Sequence, residues 1–303
     1  MDIKKLDYFV HVAELGSFTK AAMQLSIAQS ALSHSVRHLE LELKRTLLYR
    51  NGRGVTPTDA GRRLLAHARG ILMQVRRARD ELVETSDAMV GHIIVGLPPT
   101  IARHLTVPLV KSFRNSFPKG TVGVVEALSA SVMERIIEGR VDIGLVYNPA
   151  PLPSVEIRPL HEQQLFLISS KAARKHRSSK SVQLRELPRY PLILTSRMNA
   201  NRMLIEAQLA QLGLKPQIEF EVDGIASVLD LVHEGYGYAV LPLSSLSGHT
   251  FERSFTATPI VRPKLRIPLS LVTSAQRPIT PLAREALSLI QKMASRVLFP
   301  EKH

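Results

Sequence analysis

Phe9-Val10, Gly16-Ser17-Phe18-Thr19-Lys20-Ala21-Ala22, Ala28-Gln29-Ser30-Ala31-Leu32-Ser33, Leu39-Glu40 and Thr56-Pro57-Thr58-Asp59-Ala60-Gly61 mark out the opening of a 303-residue chain. Leu6, Phe9, Val10 and Ala13 recur at helical spacing, and Gly16 stops that helix. A second helix covers Thr19–Leu25, where Ala21 and Ala22 let another helix approach closely. A third runs from about Ala28 to Lys44, with Leu32, Val36, Leu39 and Leu43 as its inward stripe. Its other face presents Gln29, Ser30, Ser33, His34 and Arg37. Leu47-Leu48-Tyr49-Arg50 then meets Asn51-Gly52, a dipeptide suited to φ > 0 in a tight hairpin, and Gly54-Val55-Thr56 returns. Two helices joined by a short turn, a third helix and a β-wing form a winged helix-turn-helix by pattern.

From Thr58 to about Met89 the chain is helical in type, with Leu65, Ala68, Leu72, Val75 and Leu82 near 3,4 spacing and Arg79 breaking the series. About 30 residues at about 1.5 Å each make a rod some 45 Å long. Its apolar stripe needs another surface. The simplest is the same helix of a second subunit, and the alternative is the chain's own C-terminal domain. Beyond Gly91, apolar runs at 92–97, 122–128, 141–147, 165–169, 192–195, 218–222, 238–241 and 269–272 alternate with helical stretches at 101–117, 131–139, 199–212, 225–235 and 281–298. Strands alternating with helices imply a parallel-rich α/β architecture, and two lobes of about a hundred residues each fit the length.

Composition narrows the function. No run of 18 apolar residues exists, so a membrane span is not expected. The N-terminus lacks the charged start and apolar core of a secretory signal, so a cytoplasmic location is expected. With zero Cys, disulfide scaffolds, thiolate metal sites and Cys nucleophiles are excluded. Forty Lys+Arg against 26 Asp+Glu give a net charge of +14, which favours polyanions. Residues 43–79 hold ten basic residues against one acid, Asp59, while Lys171 to Lys180 carries five basic residues and no acid and reads as a solvated face, so positive charge alone does not locate a nucleic-acid site. His34 and His38 have zinc-compatible spacing, but Ser35 stands where a zincin-like motif needs Glu, and no third ligand is evident. No metal or cofactor is expected, and without a Walker loop or a Gly-x-Ser-x-Gly elbow neither is an enzyme.

The motifs quoted above resemble the N-terminal signature of LysR-type transcriptional regulators, specifically over residues 1–65 and more loosely along the whole chain. Arg53-Gly54-Val55-Thr56-Pro57-Thr58 and Ile27-Ala28-Gln29 are most similar to the nitrogen-assimilation-control branch. The resemblance implies a winged helix-turn-helix over 1–58, a linker or dimerisation helix over 59–89 and an effector-binding domain over 90–303. That domain would fold like periplasmic binding proteins, with one lobe at about 90–162 and 267–303 and the other at about 163–266. It also implies a homodimer or homotetramer that binds a double-stranded DNA operator and responds to a small metabolite, with RNA polymerase a further candidate partner. The family's third helix usually opens with Ser where this chain has Ala28, and with Pro at Ser30. Ala is a poor N-cap, so Ser26 with Gln29 is expected to supply a capping box.

In this reading the third helix enters the major groove. Gln29 suits adenine, Arg37 guanine or a phosphate, and Ser30, Ser33 and His34 reach backbone or base edges. Lys20, Arg50 and Arg53 suit phosphates, and Thr58 is a further DNA-binding candidate. In the α/β region, four strand-to-helix junctions stand out: Pro98-Pro99-Thr100, Ser129-Ala130-Ser131, Thr195-Ser196-Arg197 through Asn201-Arg202, and Asp223-Gly224-Ile225. By resemblance the first three line the effector cleft, giving Pro99, Thr100, Ser129, Thr195, Ser196, Asn201 and Arg202 as candidates. Hydroxyls and free N–H groups there suit an oxyanion, with Arg197 or Arg202 as countercharge. The plain alternative makes the hydroxyls helix caps. At the level of function, the alternatives are a ligand-independent regulator of the same family and a solute-binding protein.

Overall fold

Asp2 and Ser17 begin the first two helices in the computed structural model, which describes residues 1–51, 54–83, 89–172 and 180–298. The Asp2 side chain accepts the Lys5 N–H to cap α1 (Ile3–Leu15), and the Ser17 side chain accepts the Lys20 N–H to cap α2 (Phe18–Leu25). Gly16 closes α1 at φ 61°, a left-handed conformation that costs glycine little. α3 spans Gln29–Leu43. The expected capping box is not formed. Ser26 is the left-handed C-cap of α2, outside α3, and Ala28 stands at the N-cap without a side-chain hydrogen bond.

β1 (Leu48–Asn51) and β2 (Gly54–Pro57) pair antiparallel with Asn51 opposite Gly54; of the hairpin turn expected at Asn51-Gly52, Gly52 lies outside the described residues, as does Arg53. α4 (Asp59–Val83) follows. Phe9, Val12, Leu32, Val36 and Leu39 are wholly buried in one core. Ala68 of α4 belongs to that core, with Leu64, Leu65 and Leu72 packed on it. The leading part of the α4 stripe therefore rests on the chain's own N-terminal helices, a surface that its periodicity did not indicate. The side chain of Leu82 lies outside the described residues.

The chain divides into two compact units, Met1–Gly91 with Ile137–Arg140, and the remainder. In the second unit the order is β3 (Gly91–Leu97), α5 (Pro99–Ser116), β4 (Gly120–Glu126), α6 (Ser129–Ile137), β5 (Ile143–Tyr147), β6 (Val155–Ser170) and β7 (Val182–Gln183). Then come β8 (Leu192–Leu194), α7 (Ala200–Ala210), β9 (Ile218–Glu221), α8 (Ile225–His233), β10 (Ala239–Pro242), β11 (Phe255–Val261), β12 (Arg266–Ser274) and α9 (Pro281–Leu298). The main sheet runs β4-β3-β5-β12-β6-β11-β7, with β10 also on β6, and β8 pairs parallel with β9.

β6 is shared by two lobes. Through Gln164 it pairs with β12, and from Leu165 onward with β10 and β11. All of these pairings are antiparallel, as is β5 with β12. The parallel-rich expectation fails at these strands because β12 is the chain returning from the second lobe, running against both neighbours. Ile101, Leu105 and Leu109 of α5 share a core with Ile205 and Leu209 of α7, while Val228, Leu229 and Val232 of α8 pack in another. The strand ends lead into the N-termini of α5, α6, α7 and α8. Among the described residues no helix is long and apolar enough to cross a membrane.

Candidate functional site

In the first unit α3 buries Leu32, Val36 and Leu39 and leaves Gln29, Ser30, His34 and Arg37 exposed. The face that the sequence assigned to recognition is thus free of the fold's own core. Ser33 is half-buried and accepts a hydrogen bond from Arg50 Nη1 at 3.2 Å. The Arg50 guanidinium also lies 4.7 Å from the centre of the Phe18 ring, tying β1 to α2 and α3. Lys20 is exposed on α2. His34 and His38 place their rings 4.7 Å apart. The candidate Arg53 lies outside the described residues.

Thr58 needs correction as a DNA contact. It is 7% exposed, its hydroxyl donates to the Thr46 carbonyl at 2.8 Å, and the same oxygen accepts the Gly61 N–H at 3.0 Å. It starts α4 and is spent on the fold. Gly61 completes the arrangement, since a Cβ there would overlap the Leu47 carbonyl oxygen.

The second unit holds a cavity of about 220 Å³. Pro99, Thr100, Ser129, Thr195 and Asn201 line it, as the sequence reading expected, and so do Tyr147, Asn199 and the Asp223-Gly224-Ile225 junction. The N-termini of α5, α6, α7 and α8 all meet there. Ser129 does not spend its hydroxyl on a cap: Oγ accepts the Tyr147 N–H at 3.0 Å. Thr100 Oγ1 lies 3.4 Å from the Tyr147 hydroxyl, which donates to Gln163 Oε1 at 2.8 Å. Burial pushes the Tyr147 phenol well above its ordinary pKa, opposed by the hydrogen bond from Thr100, so it remains a neutral donor. α7 is capped by Asn199, whose side chain accepts the Asn201 N–H at 2.9 Å.

Arg202 is not the expected countercharge. It is 2% exposed and does not line the cavity. Nη1 donates to Glu221 Oε2 at 2.6 Å and to the Thr195 carbonyl at 2.8 Å, and Nε donates to Glu206 Oε1 at 2.9 Å. Desolvation disfavours its charge, but hydrogen bonds and attraction from Glu221 and Glu206 outweigh that and hold its pKa above the ordinary value. Two carboxylates have already claimed this cation. Ser196 also stands off the cavity, and its backbone N–H donates to Asp223 Oδ1 at 2.9 Å. Arg197 is exposed and likewise absent from the lining. Sequence reasoning missed Tyr147 and Asn199; the former ends a buried apolar run and the latter precedes a helical stretch.

A winged helix-turn-helix with a solvent-facing third helix, joined to a two-lobed α/β domain with its own cavity, defines a DNA-binding transcriptional regulator. Residues 3–62 match the bacterial regulatory helix-turn-helix protein model of the lysR family, and residues 86–295 match the LysR substrate binding domain. The chain belongs to the LysR family of transcriptional regulators, which are not enzymes. It is 32% identical to the nitrogen assimilation regulatory protein nac of Escherichia coli (strain K12), over 97% of this chain and 96% of that one. The LysR family transcriptional regulator CbnR shares the fold, with TM-score 0.72, 22% identity and coverage of 97% of this chain and 99% of that one. Full-length CbnR complexed with its target DNA does so too, with TM-score 0.55, 23% identity and coverage of 97% and 100%. The solute-binding alternative gives no account of residues 3–62.

Proposed function

We propose that this chain reads a specific operator through α3 and that a small metabolite in the cavity at Thr100, Ser129 and Thr195 controls its output. The observation that carries the DNA-reading part is the split of α3 into a buried Leu32-Val36-Leu39 side and an exposed Gln29-Ser30-His34-Arg37 side. Gln29 serves as the base reader, with Ser30, Ser33, His34 and Arg37 beside it and Lys20, Arg50 and Arg53 on phosphates. The active species is a homodimer or homotetramer in the cytoplasm. Ile71 on α4 remains exposed, a position that a second copy would cover. RNA polymerase is the partner through which such an assembly acts.

The metabolite changes lobe or subunit arrangement, and with it the spacing of paired reading heads, by as much as its affinity differs between the two arrangements. A salt-titrated binding assay tests the reading. The protein binds its own promoter region far better than random duplex, and affinity falls steeply as salt rises. Gln29→Ala relaxes preference at one operator position, whereas Lys20→Ala weakens all duplexes alike. Equal loss on specific and random DNA for Gln29→Ala overturns the base-reading role.

A further inference from the structure

The cavity combines three features that together select a ligand. Among the described residues its lining contains no Lys, Arg or His, and Arg202, the nearest candidate in the sequence, is consumed by Glu206 and Glu221. Four helix N-termini meet there, each offering backbone N–H groups and a partial positive charge of about half a unit. Thr195 is 8% exposed and lines the cavity, yet its hydroxyl has no hydrogen-bond partner among the described residues. With no partner of its own, this hydroxyl is open to an occupant of the cavity.

The fourth junction adds the opposite charge. Asp223, itself exposed to solvent, lines the same cavity, and Oδ1 is held by the Ser196 N–H while the second carboxylate oxygen has no protein partner among the described residues. A dianion would bring its second negative charge towards this carboxylate, and a plain amine would leave the helix ends and Thr195 unanswered. Resting on the effector reading above, we infer that the cavity takes a small zwitterion, an α-amino acid or similar amine-bearing oxyanion, with its oxyanion at the helix N-termini and Thr195 and its ammonium at Asp223. The volume of about 220 Å³ suits a metabolite smaller than drug-sized ligands, whose sites start at roughly 300 Å³.

Thermal unfolding of the full-length protein tests this with the twenty standard L-amino acids, a matched panel of dicarboxylates and aliphatic monoamines, and a protein-free metabolite extract. Each amino acid that raises Tm is retested as its N-acetyl derivative, its carboxamide and its 2-hydroxy acid. At least one amino acid raises Tm by mass action, and blocking either end weakens binding tenfold or more. Asp223→Asn, which keeps an acceptor for the Ser196 N–H, weakens the amino acid but not the 2-hydroxy acid. Should this variant fold poorly, the ligand analogues decide the same point on the unaltered protein. Stabilisation by dicarboxylates or monoamines alone, by the N-acetyl form as well as the parent, or by the extract but no amino acid overturns the zwitterion and leaves the effector reading standing. No shift with any panel or with the extract overturns both.

Discussion

The Glu40 carboxylate accepts the Leu47 backbone N–H at 2.7 Å, and the same oxygen accepts the Leu48 N–H at 3.2 Å. One side chain in the last turn of α3 thereby sets where β1 begins and so where the wing stands beside the reading helix. Glu40→Ala removes both bonds. Hydrogen bonds to a charged acceptor contribute about 1.5–3 kcal/mol, and the partial exposure of Glu40 puts the loss near the lower end of that range. The urea midpoint of the winged helix-turn-helix unit falls without a change in slope, and Glu40→Gln restores part of it. An unmoved midpoint would show that other contacts place the wing.

Ala28 leaves the first N–H groups of α3 without a side-chain acceptor. Its backbone, at φ −66° and ψ 135°, is already in the extended conformation of an N-cap. Ala28→Ser supplies the missing acceptor with no strain and stabilises the unit by roughly 0.5–2 kcal/mol. Ser26→Ala, by contrast, moves stability little, because Ser26 caps α2 through its backbone N–H rather than through its hydroxyl. A larger loss for Ser26→Ala than gain for Ala28→Ser would reinstate the capping box that the sequence suggested.

The N-terminal fold was legible because its signals are local. Gly16 stops a helix, Leu32, Val36 and Leu39 repeat at helical spacing, and each depends on neighbours a few residues away. Thr58 was misread for the opposite reason: its partner, the Thr46 carbonyl, is twelve residues distant and nothing in the intervening sequence announces it. In the α/β region the first half of β6, Val155–Gln164, escaped notice because it lacks the continuous apolar run of the other strands and carries Pro159. β11 likewise contains Pro259. The cavity's hydroxyls were found at strand-to-helix junctions, a rule of topology. The fate of Arg202 on α7 was not, because Glu206 one turn on was visible while Glu221 reaches it from β9.

Tyr147 donates to Gln163 from a buried phenol whose pKa is raised above the ordinary 10.0. The unfolded chain releases this proton first. The stability that the phenol contributes is therefore complete below pH 10 and is lost as pH rises toward the higher folded-state value. Tyr147→Phe has no such proton and no bond to Gln163, so it is less stable at neutral pH by about 0.5–1.5 kcal/mol. The gap between the two proteins narrows above pH 10, measured as urea midpoints at neutral and alkaline pH. A gap that widens there would place the ionised phenol, rather than the neutral one, in the fold.

Arg202 separates a structural cation from a ligand anchor. Replacing it with Met keeps much of the buried stem but strands the Thr195 carbonyl and leaves Glu221 and Glu206 facing each other across the gap. Glu206 and Glu221 are 36% and 53% exposed and rehydrate, so the main cost is the unpaired carbonyl and the lost packing, about 2–3 kcal/mol. Arg202→Lys does not rescue it, because a single ammonium lacks the planar fork that serves three acceptors at once. Adding Glu221→Gln to Arg202→Met costs less than the sum of the two single changes, since the second removes a charge that the first had orphaned. Strict additivity, or a loss of ligand affinity without a loss of stability, would return Arg202 to the role of countercharge for a bound anion.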